Sequence, residues 1–420
     1  MNSSKGWAAL VNDISFTSAQ QRGLRGSDSF VEMKTSRRAL LLGASAGAVL
    51  ARPKDRLSAI KLLAVRATER TVWLLVRLQT DTGLTGWGEA SDAFGFFAPS
   101  KEDASRMENE LRGYFELVQG RSPLDVAWLR EKGREQAARN LVSATAFSAI
   151  EQAMWDLAAQ TLDVPVYDLL GGRTRDRLPV YANINRATKP RTPSGFAQTA
   201  SRAVAEGFRA IKLAPFDGYP ATTVDQGIEA IKAVREAVGA QVQVMVDCHS
   251  YFDVPLSTRV AQRLEPFNLT WYEEPVAPTR TSETLEIRKA IRQPMAGGET
   301  LFGVEGFAPL CQSGAVHVIM PDVKHCGGLL EMIHIAAIAA GAGIAVAPHN
   351  PSGPVSTAAS VQICAGMRNF RVLELQWGES DWRQDLVTPA EKFEKGDIAV
   401  PQAAGLGVTV NEALAARHLF

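Results

Sequence analysis

The chain predicts an α/β protein: a (β/α)8-type barrel, that is, a modified TIM barrel, with an α+β capping domain formed by the N-terminal region and the C-terminal tail. Three observations carry this. Eight short apolar strand candidates recur between Val180 and Leu375, most of them separated by a helix-length segment, which is the rhythm of a parallel barrel. Six of those strands end at, or contain, a charged or imidazole residue at near-constant spacing. Ahead of them lies a hairpin followed by helices, an α+β arrangement.

Residues 1–51 read as an address. Ser36-Arg37-Arg38 precedes an apolar run from Ala39 to Ala51, and Val49-Leu50-Ala51 is a small-residue cleavage pattern. Paired arginines with a short apolar run predict a twin-arginine export signal and a periplasmic protein, with a cytoplasmic one as the alternative. Such signals sit at the N-terminus, so Met33 is the expected start and residues 1–32 an extension. No apolar stretch is long enough to span a membrane.

Residues 57–175 predict the capping domain. Val72–Leu78 is apolar and partly β-branched, Thr80-Asp81-Thr82-Gly83 is a turn, and Leu84–Gly88 is a second strand. The loop Ser91–Ser100 carries Phe94, Phe96 and Phe97, which either set substrate size or belong to the cap core. Helical periodicity runs through Lys101–Leu117, Leu124–Gln136 and Ser143–Gln160. Residues 176–395 predict the barrel, with strands at Val180–Asn183, Ala210–Leu213, Val242–Val246, Leu269–Tyr272, Met295–Ala296, Val316–Met320, Ile344–Ala347 and Val372–Leu375. Residues 396–420 are expected to return to the cap. A doubly wound sheet is the competing fold, but neither Gly83-Leu84-Thr85-Gly86-Trp87-Gly88 nor Leu170-Gly171-Gly172 stands between a strand and a helix, so dinucleotide binding is not supported.

Composition narrows the function. Lys+Arg and Asp+Glu are both 45 over 420 residues, a formal charge of zero, which argues against a nucleic-acid footprint. The four cysteines form no CxxC pair, so a disulfide scaffold or structural zinc site is not expected.

The chemistry lies at the strand ends. Asp247, Glu273, Glu299, Asp322, His349 and Glu374 follow one another at intervals of 26, 26, 23, 27 and 25 residues. One βα unit is about that long, so these residues arrive together at the C-terminal mouth, where barrel active sites lie. Three carboxylates on neighbouring strands cannot stay charged and unpaired in a pocket. A hard divalent cation resolves the conflict, and an all-oxygen set favours Mg²⁺ over zinc. Lys212 could neutralise part of the cluster but does not balance three charges. Asp247 and His249 are two apart and share a direction. Glu273 and Glu274 are adjacent, so one faces inward, and the pattern does not choose between them.

Asp247-Cys248-His249, Trp271-Tyr272-Glu273-Glu274-Pro275, Ala296-Gly297-Gly298-Glu299, Pro321-Asp322-Val323-Lys324-His325-Cys326-Gly327-Gly328 and Ala347-Pro348-His349 together resemble the enolase superfamily, in its mandelate racemase/muconate lactonizing enzyme-like branch. Ser148–Asp156 through Leu170-Gly171-Gly172 resembles that family's passage from cap to barrel, and the resemblance covers nearly all of residues 57–420. It implies Mg²⁺ held by Asp247, Glu273 and Glu299, the first glutamate of the pair being the ligand. It also implies removal of the proton α to a substrate carboxylate and, by analogy, a homo-oligomer.

Racemases of the family carry Lys-x-Lys on the second strand; here Lys212-Leu213-Ala214 lacks the second lysine. Asp247-Cys248-His249 and Ala347–Pro354 instead resemble acid-sugar dehydratases, especially galactonate dehydratase-like members. In this reading His349, oriented by Asp322, removes the α-proton of an aldonate or aldarate. His249 protonates the departing β-hydroxyl, Lys212 contacts the substrate, and Glu374 binds its carboxylate, for which Glu374 must carry or share a proton. The product is a 2-keto-3-deoxy acid. A racemase, epimerase or cycloisomerase on the same scaffold is the alternative. A metal-dependent hydrolase would need histidine ligands, and a silent binding protein would not need Asp322 paired with His349. His325 is given no role in the site; a cap on the loop before Gly327-Gly328 is its alternative.

Overall fold

Alternating apolar side chains draw the first strands together. The computed structural model describes residues 55–95 and 98–420; Phe96, Phe97, the paired arginines, the expected cleavage pattern and Met33 lie outside the described residues. β1 (Leu57–Arg66), β2 (Val72–Thr80) and β3 (Thr85–Glu89) form an antiparallel sheet in that order. The hairpin expected from sequence is β2–β3. β1 is an addition, and its period of two is faint because only Leu57, Leu63 and Val65 are buried along it.

Three helices follow: α1 (Lys101–Val118), α2 (Val126–Ala137) and α3 (Leu141–Thr161). Ser100 caps α1, its side chain accepting from Asp103 N while Asp103 reaches back to the cap. α3 is buried on nearly every face. Gly86 and Gly88 let β3 lie against it: a Cβ on Gly88 would sit 2.0 Å from Ala149 O, and one on Gly86 2.5 Å from Ala153 O. These glycines serve strand–helix packing, not a phosphate turn.

The single turn α4 (Val166–Leu169) leads into the barrel. Its strands and helices alternate: β4 (Arg177–Asn183), α5 (Pro193–Ala205), β5 (Ala210–Leu213), α6 (Val224–Val238), β6 (Gln243–Asp247), α7 (Val254–Leu264), β7 (Trp271–Glu273), α8 (Thr281–Ala290), β8 (Met295–Gly297), α9 (Gly303–Ser313), β9 (Val318–Ile319), α10 (Gly328–Gly341), β10 (Ala345–Val346), α11 (Pro354–Cys364) and β11 (Leu373–Gln376). All eight expected strands are present. Neighbours pair in parallel from β4 to β10, β11 pairs with β4, and the residues just before β11 meet β10 through the Val346–Phe370 bridge and Arg371 N donating to Val346 O, which closes the ring. Seven α-helices link the eight strands; as the next element after β11 a 3₁₀ turn, Arg383–Asp385, stands where the repeat would place an eighth helix.

The tail contains β12 (Val387–Thr388), β13 (Phe393–Glu394), β14 (Asp397–Ala399), β15 (Thr409–Val410) and α12 (Glu412–Arg417). β13 and β14 form a hairpin, and β14 adds antiparallel to the start of β4. The boundary expected at 395/396 therefore falls inside a hairpin whose two strands bond to each other. Beyond it the chain reaches the cap: Arg66 N donates to His418 O, Phe420 N to Ala64 O, and Arg77 pairs with Glu412 at 2.8 Å.

Buried carboxylates join cap to barrel. Glu89 accepts from Gly353 N (2.7 Å) and Ser356 N (2.9 Å) at the start of α11. Glu151 accepts from Leu329 N and Leu330 N at the start of α10, satisfying otherwise orphaned helix donors. Burial pushes the Glu151 carboxyl up to about 7, against those bonds. Gly328 is fitted to this contact: its φ is +86°, and a Cβ would lie 2.0 Å from Glu151 Oε2. Gly328→Ala is expected to lower stability by about 2–4 kcal/mol. Urea unfolding checks this, and a loss below about 0.5 kcal/mol, the scale of a surface change, would contradict it.

Candidate active site

The parallel register brings the strand ends to one level. Asp247 lies opposite Glu273 across β6–β7, and Glu273 opposite Ala296 across β7–β8, three residues before Glu299. Ligand atoms of Asp247, Glu273 and Glu299 all lie within 4.8 Å of one another, and all three residues are buried.

Glu274 takes a different direction. Its φ is +35°, and Oε1 accepts from Gly298 N (2.6 Å) and Glu299 N (3.3 Å). It thus holds the turn that carries Glu299. Gly297 must be glycine for this, since a Cβ there would sit 2.8 Å from Glu274 Cγ. The adjacent pair that sequence alternation left open is resolved in geometry: Glu273 joins the cluster, and Glu274 braces it.

Lys212 reaches the cluster from β5. Its buried Nζ lies 2.8 Å from Glu273 Oε1, 3.1 Å from Glu374 Oε1 and 3.5 Å from Asp247 Oδ2. Glu299 is not among its partners. Burial and repulsion from Asp247 push Glu273 well up, while burial, Glu274 and Asp247 push Glu299 well up. Burial also opposes Asp247 ionisation, but His249 and Lys212 outweigh it and hold Asp247 low. Glu299 Oε2 is buried without a hydrogen-bond partner. An acceptor-only set with one orphaned oxygen fits a hard cation such as Mg²⁺.

A histidine stands at each side of the trio, each with its own aspartate. His349 Nδ1 lies 2.8 Å from Asp322 Oδ2, and its Nε2 lies 3.2 Å from Glu299 Oε2 without hydrogen-bond alignment. His249 Nδ1 lies 2.6 Å from Asp217 Oδ1, and its Nε2 3.1 Å from Asp247 Oδ2. Burial opposes the His249 imidazolium, but Asp247 and Asp217 outweigh it and push its pKa well up. His249 has a φ of +45°, so the chain turns out of β6 as it places this ring.

Glu374 accepts from Asn183 Nδ2 (2.6 Å), Asn350 N (3.1 Å) and Lys212 Nζ. Burial raises its carboxyl, but Lys212, His349 and these bonds outweigh it and hold it below its ordinary range. In this arrangement Glu374 is an acceptor and the counter-ion of Lys212. It does not carry the proton that donation to a substrate carboxylate requires. His325 is buried against cap helix α3, with Nδ1 2.8 Å from Thr145 Oγ1, and burial lowers its pKa to about 4.

Three residues here escaped the sequence reading. Asp217 follows β5 by four positions, beyond the strand end itself. Lys324 stands two positions after Asp322, in the turn that follows β9; its buried Nζ lies 3.0 Å from Asp322 Oδ2. Asp92, in the cap loop after β3, pairs with Arg186 (2.7 Å) and Lys324 (3.3 Å). No local pattern marks Asp92.

Comparison with known proteins agrees with this architecture. Residues 46–171 match the mandelate racemase/muconate lactonizing enzyme N-terminal domain, and residues 195–414 match the family described as enolase C-terminal domain-like. Over 357 residues the chain is 32% identical to D-xylonate dehydratase of Haloferax volcanii, covering 81% of this chain and 83% of that one. It is 32% identical to D-galactonate dehydratase of Xanthomonas euvesicatoria pv. vesicatoria (82% and 90% covered). It is also 30% identical to D-galactarolactone cycloisomerase of Agrobacterium fabrum (82% and 90%). The crystal structure of a mandelate racemase/muconate lactonizing enzyme from Jannaschia sp. CCS1 superposes with a TM-score of 0.79 at 30% identity, covering 87% of this chain and 98% of that one. Fold, strand-end carboxylates and relatives converge: the chain belongs to the enolase superfamily, in its mandelate racemase/muconate lactonizing enzyme branch.

Proposed function

We propose that the protein is a hydro-lyase that dehydrates a sugar acid, an aldonate or aldarate, to a 2-keto-3-deoxy acid. The observation that carries this is the pair of Asp–His couples on either side of one acidic trio. Elimination of water needs a base at the α-carbon and an acid at the β-hydroxyl, and two separately oriented imidazoles supply both. The sugar-acid dehydratases among the relatives support the same chemistry.

His349 is the base. Asp322 holds its Nδ1 and leaves Nε2 turned toward the trio. His249, held by Asp217, donates the proton that lets hydroxide leave as water. Asp247, Glu273 and Glu299 would hold Mg²⁺, which when bound supplies positive charge against the enediolate that α-proton loss creates. Lys212 offsets the negative charge that gathers around that site. Glu374, as acceptor and counter-ion, fixes the Lys212 ammonium beside the trio.

The cycloisomerase among the relatives favours a second reading, isomerisation through the same intermediate. His249→Asn separates the two. Under dehydration, this variant still exchanges the substrate α-proton with D₂O, while keto-acid release falls by about 10²–10⁴-fold. NMR of recovered substrate and a semicarbazide assay check both. Unimpaired keto-acid release would remove His249 as the acid; isomer without water loss in the wild type would favour the second reading.

We also propose that Ser36-Arg37-Arg38 and the apolar run after it export the protein. Replacing Arg37 and Arg38 by lysine is expected to leave it in the cytoplasmic fraction; unchanged periplasmic recovery would contradict export by the twin-arginine route.

A further inference from the structure

Lys324 is a buried cation with a chemical neighbourhood that the dehydration scheme does not use. Its side chain is fully buried. The Nζ lies 3.0 Å from Asp322 Oδ2, the same oxygen that meets His349 Nδ1 at 2.8 Å. The Lys324 backbone N donates to the other oxygen, Asp322 Oδ1, at 2.7 Å. Both oxygens of this carboxylate are therefore bound by one residue, and the plane in which it presents Oδ2 to His349 is set by Lys324.

The remaining partners of Lys324 come from elsewhere. Ser352 Oγ accepts from it, three residues past His349. Asp92 Oδ2 lies 3.3 Å away, on the segment that follows cap strand β3. Asp92 is itself anchored: its Oδ1 meets Arg186 at 2.7 Å, and Arg186 also meets Glu379 at 3.2 Å. Asp92 has a φ of +63°, so the backbone adopts a left-handed conformation to deliver this carboxylate. A buried ammonium needs a fixed set of partners, because it gains little from loose ones and loses its hydration entirely. Removing Asp92 leaves Lys324 with Asp322, the Ser352 hydroxyl and the more distant charge of Glu89, and takes away the carboxylate that holds its ammonium from the cap loop.

We propose that Lys324 is a positioning residue for the Asp322–His349 pair, and that Asp92 of the cap is the group that holds Lys324 in place. The cap thus contributes a charged partner to the orientation of a barrel histidine through three contacts: Asp92–Lys324, Lys324–Asp322 and Asp322–His349. The catalytic meaning of the pair rests on the dehydration reading; the physical link does not.

The test uses the full protein with Mg²⁺ present. The first readout is the imidazole N–H resonance of His349 in ¹⁵N-histidine-labelled protein, which contains six histidines, assigned by its loss in His349→Asn. Asp92→Asn and Lys324→Met are both expected to shift or broaden that resonance, while Lys324→Arg restores it. The second readout is kinetics on whichever sugar acid the wild type dehydrates. Lys324→Met is expected to lower kcat by about 10–100-fold with KM changed by no more than about twofold, and Lys324→Arg to recover most of it. Adding Asp92→Asn to Lys324→Met is expected to cost less than about twofold more, because both act through one contact. If Lys324→Met does not fold, Asp92→Asn and Lys324→Arg carry the test.

An unshifted resonance in Asp92→Asn, or losses that multiply in the double variant, would overturn the proposal. If the wild type dehydrates no sugar acid, the function proposed above falls, and the resonance alone decides the role of Lys324.

Discussion

His349→Asn is expected to abolish turnover, lowering kcat by about 10⁴-fold while the protein remains folded. The size follows from its position: Nε2 is the free ring nitrogen directed at the acidic trio, and Asp322 fixes the ring through Nδ1. Asparagine keeps a polar group near Asp322 but has no basic nitrogen to accept a proton. The same variant should also lose α-proton exchange in D₂O, in contrast to His249→Asn, which keeps it. A steady-state assay with circular dichroism as the folding control is sufficient. Residual kcat within about tenfold of wild type would mean another group removes the proton, since an essential base contributes far more.

Chelation is expected to have an effect of similar size on activity, and a separate one on stability. Asp247, Glu273 and Glu299 lie within 4.8 Å of one another, and Lys212 reaches the first two but not the third. Without a cation, Glu299 is left with its Oε2 unpartnered and its carboxyl pushed up by burial, by Glu274 and by Asp247. A cation held by the trio would give Glu299 Oε2 a partner and offset the repulsion from Glu274 and Asp247. At a hundredfold excess over Kd the ion should add about 2.7 kcal/mol, or ~3 °C in Tm for a chain of this size. Glu299→Gln should remove most of that Tm shift and of the activity, because Lys212 cannot substitute where it does not reach. Scanning calorimetry with EDTA, Mg²⁺ and the variant checks this. A Tm insensitive to divalent cations, with activity surviving EDTA, would exclude the trio as a metal site.

Much of this site is legible as a period. A parallel barrel repeats one strand and one helix, so residues that share a level at the mouth must share a spacing in the chain. Asp247, Glu273, Glu299, Asp322, His349 and Glu374 obey it, and parallel strand pairing puts the first two opposite each other. The helices and eight strands are legible for the same reason, since buried faces repeat with the geometry of each element. β1 is harder to read because only Leu57, Leu63 and Val65 of its ten residues are buried, too few for a sustained alternation.

What the linear pattern leaves open is direction and pairing. Adjacent glutamates 273 and 274 look equivalent along the chain; a φ of +35° turns the second away to brace Gly298 and Glu299. Glu374 reads as a substrate-binding carboxyl that carries or shares a proton until Lys212, Asn183 and Asn350 are placed around it as donors. Asp92 and Lys324 are 232 residues apart, and Asp217 meets His249 across 32. Such contacts follow no repeat, because they join a cap loop to a barrel strand, or two loops at the mouth. The repeat of the barrel writes the acidic trio and the Asp322–His349 pair into the chain at regular intervals. Which oxygen faces which nitrogen depends on local backbone turns and on the docking of cap to barrel, and these have no period to read.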